Sequence, residues 1–247
     1  MRLLVSVLDV AEALQAVEGG AHIVDAKNPR EGSLGANFPR VIKQIRSVVP
    51  GHVEVSATIG DLPNLPGTAS LAALGAAFSG AQYVKAGLLG VRALAESLNL
   101  MKEICRAVKD YDAKVKIIAA GYADYKKIGS LNPLDLPAIA HRAGAHGVMV
   151  DTKLKDRTEL FDSMSDKELK EFVGRAHEHG LIAALAGSLR HQDVWRVHQL
   201  GADVVGVRKA VCAKNDRLKP GISKAAVSSF IDSMRACGTI GYDVTRV

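Results

Sequence analysis

Apolar and polar positions recur four times along the chain in one order: Gly-Ala, two variable residues, Val within a short run of mainly apolar residues, then polar residues. The copies are Gly20-Ala21-His22-Ile23-Val24-Asp25-Ala26-Lys27, Gly80-Ala81-Gln82-Tyr83-Val84-Lys85-Ala86-Gly87, Gly144-Ala145-His146-Gly147-Val148-Met149-Val150-Asp151 and Gly201-Ala202-Asp203-Val204-Val205-Gly206-Val207-Arg208. They begin at residues 20, 80, 144 and 201, intervals too long for a solenoid repeat and suited to two strand-plus-helix units each. Four copies therefore predict eight units. The fold class is α/β, a single (β/α)8 TIM barrel over residues 1–247.

The remaining elements follow from the same patterning. Strands are expected at Leu3 to Val7, Ile23 to Lys27, Val53 to Ile59, near Lys85, at Val115 to Ala120, up to Asp151, at Leu181 to Ala186 and at Val204 to Val207. Asp9 caps a first helix reaching Glu18, Asn37-Phe38-Pro39 opens the second, and Ser165 with Glu168 forms a capping box. Helix 3 carries Ala69, Ala72, Ala73, Ala76 and Ala77, which suits close approach to the sheet or to another subunit. A homo-oligomer is the expectation.

Strand side chains alternate with period 2, so residues five and seven places after each repeat's glycine share a face. One set is Asp25, Lys85, Met149 and Gly206, and the other is Lys27, Gly87, Asp151 and Arg208. In such a barrel these positions converge at the C-terminal mouth, where active sites sit. The loops after strands 7 and 8 are the usual phosphate site of the fold, and here they carry Gly187, Ser188, Arg208 and Lys209. A long loop after strand 2, Asn28 to Asn37, holds Gly32 and Gly35 and reads as a lid, a phosphate clamp or an ordinary turn. After strand 5, Tyr122 and Asp124 are near the mouth, but nothing in the pattern assigns them a role.

Composition narrows the chemistry. The net charge of +6 is spread along the chain among acidic residues, and only 4% of residues are aromatic, so an anionic small molecule explains the charge without nucleic acid. The apolar run at residues 1–8 is too short for a membrane span. Cys105, Cys212 and Cys237 lack metal-ligand spacing, which points away from a zinc site and toward a reducing cytoplasm. His22 and His146 occupy matching places at strand starts, at the far end of the barrel.

A lysine inside a barrel mouth must pair with a carboxylate or lose its proton. Lysines and carboxylates beside a phosphate site, with no nucleotide-binding glycine motif, point to Schiff-base carbon–carbon chemistry on a small sugar phosphate. Whether Lys27 or Lys85 forms the imine is open on these grounds.

At Asp25-Ala26-Lys27-Asn28-Pro29-Arg30-Glu31-Gly32-Ser33-Leu34-Gly35-Ala36-Asn37 the sequence resembles the (5-formylfuran-3-yl)methyl phosphate synthase family of methanofuran biosynthesis. The resemblance extends through Tyr83 to Gly87, Val150 to Lys153, Ala186 to Leu189 and Gly206 to Arg208, nearly the whole chain. It implies condensation of two molecules of glyceraldehyde 3-phosphate into a phosphorylated furan aldehyde with loss of phosphate and water, and no metal or organic cofactor. It also implies Lys27 as the Schiff-base lysine, Lys85 as proton donor and acceptor, and Asp25, Asp151 and Lys155 as supporting charges. Lys153 stands beside Lys155 as a second candidate for that role. The rival readings are a class I aldolase or isomerase acting on another small sugar phosphate, and a non-catalytic phosphate sensor or nucleic-acid binder, which has no use for carboxylates beside its anion site.

Overall fold

The computed structural model describes residues 1–154, 159–213 and 221–243. Eight parallel strands close on themselves in chain order, the last pairing with the first. They are β1 (Arg2–Val7), β2 (Ile23–Ala26), β3 (Glu54–Pro63), β4 (Tyr83–Gly90), β5 (Lys116–Tyr122), β6 (Gly147–Asp151), β7 (Ile182–Leu185) and β8 (Val204–Val207). The helices are α1 (Val10–Glu18), α2 (Pro39–Val48), α3 (Pro66–Phe78), α4 (Leu94–Tyr111), the short turn α5 (Tyr125–Ile128), α6 (Leu136–Ala143), the short turn α7 (Leu160–Ser163), α8 (Asp166–Glu178), α9 (Val194–Gln199) and α10 (Lys224–Asp243). This is the closed (β/α)8 barrel that the motif spacing predicts.

The repeat has a physical cause. Its glycines, Gly20, Gly80, Gly144 and Gly201, all have positive φ, between 80° and 97°, which a side chain with a Cβ resists. Each ends a helix, and the next residue is a buried alanine whose N–H, in the first three copies, returns to a carbonyl of that helix: Ala21 to Ala16, Ala81 to Ala76, Ala145 to Ala140. The motif is thus a helix stop followed by a strand start. His22 and His146 sit at those starts, where their Nδ1 atoms accept from the N–H groups of Leu3 and Ile117. Asp9 caps α1 by accepting from Glu12 N–H, and Ser165 and Glu168 form the capping box of α8.

Alternation along the strands separates two cores. Leu3, Val5, Val24, Val55, Val84, Ile117, Val148, Leu185 and Val205 point outward and meet the helices. Leu4, Ile23, Tyr83, Ile118, Met149, Ala184 and Val204 fill the barrel interior. Burying each large aliphatic side chain is worth roughly 1.5–3 kcal/mol. At the bottom, Tyr83 donates to Glu54 at 3.1 Å and accepts from Lys116 at 3.1 Å, closing that end with polar groups.

Two boundaries differ from the sequence reading in ways that shape the mouth. β5 continues to Tyr122, which puts Tyr122 on the strand and fully buried. β3 continues past Ile59 to Pro63 through a register shift between Thr58 and Asp61, where Gly60 has φ 117°. Such a bulge re-aims the side chain that follows it. Here that side chain is Asp61.

Candidate active site

The interior positions above the apolar layer are polar: Ser6 on β1, Asp25 and then Lys27 at the end of β2, Lys85 on β4 and Asp151 on β6. Alternation delivers them to one place, because each lies two residues above an inward-facing core residue or one further step up its strand. Lys85 Nζ donates to Asp25 Oδ2 at 2.7 Å, and Ser6 Oγ donates to the same oxygen at 2.9 Å. Lys27 Nζ donates to Asp151 Oδ2 at 3.3 Å. Thr152 N–H donates to Asp151 Oδ1 at 2.8 Å and fixes that carboxylate. Each lysine donates to a carboxylate on another strand, Lys85 to Asp25 and Lys27 to Asp151.

The two pairs differ in environment. Asp25 is fully buried and Lys85 is 2% exposed. Burial pushes the Lys85 ammonium down from its usual range against the pull of Asp25, and the positive charge of Lys27 adds to the depression. Burial pushes the Asp25 carboxyl up, but the charges of Lys85 and Lys27 and the hydrogen bonds from Lys85 and Ser6 outweigh it and hold it below the usual range. One ionised carboxylate thus faces two lysines. Its Oδ1 is buried with no partner among the described residues, as is Oγ of Ser56 on the neighbouring strand.

Lys27 and Asp151 also line an open cleft, with Ser6, Leu4 and Met149 in its lower wall and Gly187, Ser188, Arg208 and Lys209 around it. Gly206 keeps its floor open: a Cβ there would stand 3.0 Å from Met149 Cε and 3.2 Å from Ala186 Cβ. Gly187 (φ 115°) and Ser188 (φ 56°) are consecutive residues with positive φ. Non-glycine residues held this way cost on the order of 1–3 kcal/mol and cluster at ligand sites. The Gly187 carbonyl turns away to accept from Leu160 N–H at 2.9 Å. The N–H groups of Gly187, Ser188 and Leu189 have no acceptor among the described residues, which leaves them able to donate to an anion in the cleft.

Arg208 borders the cleft but faces Glu12: its Nη1 and Nη2 donate to that carboxylate at 2.7 and 3.1 Å, and Nη1 also to the Ser6 carbonyl at 3.0 Å. Glu12 further accepts from the N–H groups of Leu8 and Gly221. Lys209 is exposed at the rim. Lys155 lies outside the described residues, whereas Lys153 is described and pairs with Asp61 at 2.8 Å. Among the described residues no group of three His, Cys, Asp or Glu side chains is placed to hold a metal ion, and no helix is long and apolar enough to cross a membrane.

The long loop after β2 is anchored. Ser33 Oγ donates to the Thr152 carbonyl and Thr58 Oγ1 to the Gly35 carbonyl, each at 2.6 Å. Leu34 is wholly buried within the cluster that fills the barrel interior. Asp124 accepts from the N–H groups of Lys153 and Leu154 and so shapes the loop after β6. Sequence reasoning missed Glu12 and Asp61. Glu12 lies three residues after the cap of α1 and reads as an ordinary first-turn acid, and Asp61 reads as a loop residue until the bulge in β3 is seen.

A family model described as 4-HFC-P synthase matches residues 3–231. The chain is 51% identical to the (5-formylfuran-3-yl)methyl phosphate synthase of Methanopyrus kandleri, covering 94% of this chain and 98% of that protein. It is 54% identical to the protein of the same name from Methanosarcina acetivorans, covering 88% and 93%. Among solved structures, 3-hexulose-6-phosphate synthase from Salmonella typhimurium superposes with a TM-score of 0.65 at 20% identity, covering 95% of this chain and all of that one. KGPDC from Streptococcus mutans gives 0.63 at 15%, covering 96% and 98%. Those two likenesses are of fold.

Proposed function

Since this chain belongs to the 4-HFC-P synthase family, we propose that it is a single-domain catalyst that condenses two molecules of glyceraldehyde 3-phosphate into (5-formylfuran-3-yl)methyl phosphate for methanofuran biosynthesis. Atoms balance when one phosphate and two waters leave. The observation that carries the reading is the placement of two lysine–carboxylate pairs beside a cleft whose wall offers unpaired amide donors to a phosphate.

In this reading the triose phosphate group docks on the N–H groups of Gly187, Ser188 and Leu189 with the charge of Lys209 nearby, and Arg208 stiffens that wall through Glu12. The Lys27 amine attacks the aldehyde, expelling water and forming an imine, because Lys27 is the lysine that opens on the cleft. The imine acts as an electron sink, so a neighbouring C–H proton is removed and the resulting enamine carbon bonds to the second aldehyde. Lys85, with its lowered pKa and its link to Asp25, moves protons between carbon and oxygen; the bare Asp25 Oδ1 is a second acceptor. Asp151, 3.3 Å from Lys27, serves as acid or base while phosphate and the remaining water leave and a hydroxyl closes the ring on the imine carbon, expelling the Lys27 amine as free lysine. Lys155 keeps the supporting role that the resemblance implies.

The test is incubation with glyceraldehyde 3-phosphate, with borohydride to trap an adduct for peptide mapping and without it to record the ultraviolet spectrum. An adduct on Lys27 and an absorbing furan aldehyde are expected, and both disappear in Lys27→Met. An adduct without the aldehyde moves the activity to a class I aldolase; neither one, from folded protein, refutes the enzymatic reading. We place the enzyme in the reducing cytoplasm, where the three cysteines, buried and without a disulfide, belong. A homo-oligomer fits the uncharged α3, which exposes Leu71 and Phe78 next to Tyr111 of α4; light scattering of the wild type and of Phe78→Glu decides it.

A further inference from the structure

The rim opposite the cleft is organised by one carboxylate. Asp61, 6% exposed at its side chain, accepts from Ser33 N–H at 2.9 Å, Leu34 N–H at 3.1 Å, Tyr122 Oη at 2.5 Å and Lys153 Nζ at 2.8 Å. These donors come from the loop after β2, the end of β5 and the loop after β6. All four meet one side chain that the bulge in β3 aims inward.

Between the two loop amides and the barrel lies Leu34, which packs in the interior cluster with Tyr83, Ile118 and Tyr122. Its Cδ1 would come within 2.8 Å of a Cβ on Gly87, the residue two places above Lys85 on the same face of β4. That Cβ would also come within 2.4 Å of Tyr122 Oη, so glycine at 87 makes room for both the apolar side chain and the phenol. Gly32 serves the same joint: at φ 143° it brings the loop so close that a Cβ would lie 2.2 Å from Asp61 Oδ2. The loop is therefore built to press one leucine into the mouth.

We propose that Asp61 is a positioning residue of the reaction: it latches Leu34 as a plug over the Lys85 side of the mouth, so that substrate enters from the cleft beside Lys27 while Lys85 works out of reach of bulk water. The geometry gives the two lysines separate surroundings. Lys27 lines the cleft, whereas Lys85 lines an inner space with Ile23, Ser56, Tyr83 and Ile118 that shares Leu4 and Met149 with the cleft. Exclusion of water from that inner side keeps the protons that Lys85 moves from exchanging with bulk solvent. This role in turnover rests on the function proposed above; the latch itself does not.

The experiment separates the two. Wild type, Asp61→Asn and Leu34→Ala are treated with formaldehyde and dimethylamine-borane under native conditions, and methylation of Lys27 and Lys85 is followed by peptide mapping. Amide hydrogen exchange of the loop is measured in parallel. An accessible lysine of lowered pKa reacts faster than an ordinary one, so slow labelling of Lys85 reports access alone. In the wild type, Lys27 labels and Lys85 stays protected. In Asp61→Asn, exchange at positions 33 and 34 and labelling of Lys85 each rise by about ten-fold or more, as a local opening requires. In Leu34→Ala, Lys85 labels while the position 33 amide stays protected. With glyceraldehyde 3-phosphate, Asp61→Asn lowers kcat by about ten-fold and changes KM by less than about three-fold.

Protection of Lys85 unchanged in Leu34→Ala overturns the plug, and this variant decides the matter if Asp61→Asn does not fold. Unchanged loop exchange in folded Asp61→Asn overturns the latch. Exposed Lys85 with an unchanged kcat overturns the positioning role. A wild type that makes no furan aldehyde yet shows the expected labelling refutes the proposed function and leaves the latch standing.

Discussion

Replacing Asp25 by Asn removes the charge that holds Lys85 and leaves the shape nearly unchanged. Breaking a buried ion pair from one side typically costs about 3–5 kcal/mol, because an uncompensated charge stays behind. Lys85 has another way out, which is to give up its proton. At pH 7 that costs a lysine of reference pKa about 10.4 roughly 4.6 kcal/mol, at about 1.36 kcal/mol per unit. The two routes agree, so the variant is expected to lose about 3–4 kcal/mol, the lower end reflecting the amide oxygen that still accepts from Nζ. Lys27 does not relieve the loss, since its own positive charge disfavours the charged Lys85.

Urea unfolding measures this, and the double variant Asp25→Asn/Lys85→Met tests the cause. With both charges of the pair gone no uncompensated charge remains there, and stability returns to within about 1 kcal/mol of the wild type. The pH dependence has a fixed sign. Lys85 is depressed below 10.5 in the fold, so between its folded pKa and 10.5 the unfolded chain binds more protons and stability rises with pH. Without Asp25 that rise begins at lower pH, with a slope reaching about 1.36 kcal/mol per unit. A loss below about 1 kcal/mol, or strict additivity of the two substitutions, would refute the claim that the pair is a coupled buried unit.

Other outcomes follow from the same coordinates. Gly87→Ala places a Cβ 2.4 Å from Tyr122 Oη and 2.9 Å from the Gly60 carbonyl, so urea unfolding should show a loss of about 1–3 kcal/mol. Glu12→Gln removes the Glu12 charge from the Arg208 guanidinium and weakens the hydrogen bonds between them, so about 1.5–3 kcal/mol of stability should go in the same assay. The Tyr122 phenol is pushed well above 10 by burial and by Asp61, so its contribution to stability is present below pH 10 and is lost as pH rises from there to its folded value. In a spectrophotometric titration of the folded protein, Tyr122→Phe should leave the number of tyrosines that ionise below pH 11 unchanged.

The barrel and the inner lysines were legible because both depend on short-range rules. A glycine that stops a helix and an alternation of period 2 are local facts, and closure of the sheet turns them into a shared mouth. The parity sets even contained the pairing: Asp25 and Lys85 belong to one set, Lys27 and Asp151 to the other, and each ion pair joins members of one set on alternate strands. Asp25 and Lys27 are neighbours along β2, but the layers that bring charges together form across strands. Arg208 was placed correctly at the end of β8, but its dependence on Glu12 spans 196 residues and leaves no local trace.

Asp61 shows why the rest was hidden. Its donors lie 27, 28, 61 and 92 residues away, and the bulge that aims it shows in the sequence only as Gly60. Loops acquire such contacts only after the barrel has fixed their ends, so neither propensity nor periodicity encodes them. On the function proposed above, these contacts divide the work of the legible residues. Two lysines of equal intrinsic chemistry stand in one mouth, each beside a carboxylate. An apolar side chain seated over one of them puts it in a drier medium, where charge interactions strengthen and its proton is held less firmly. The other lines the cleft, from which the proposed aldehyde substrate reaches it. Division of labour between Lys27 and Lys85 then needs no difference between the lysines themselves, only the asymmetry of the rim above them.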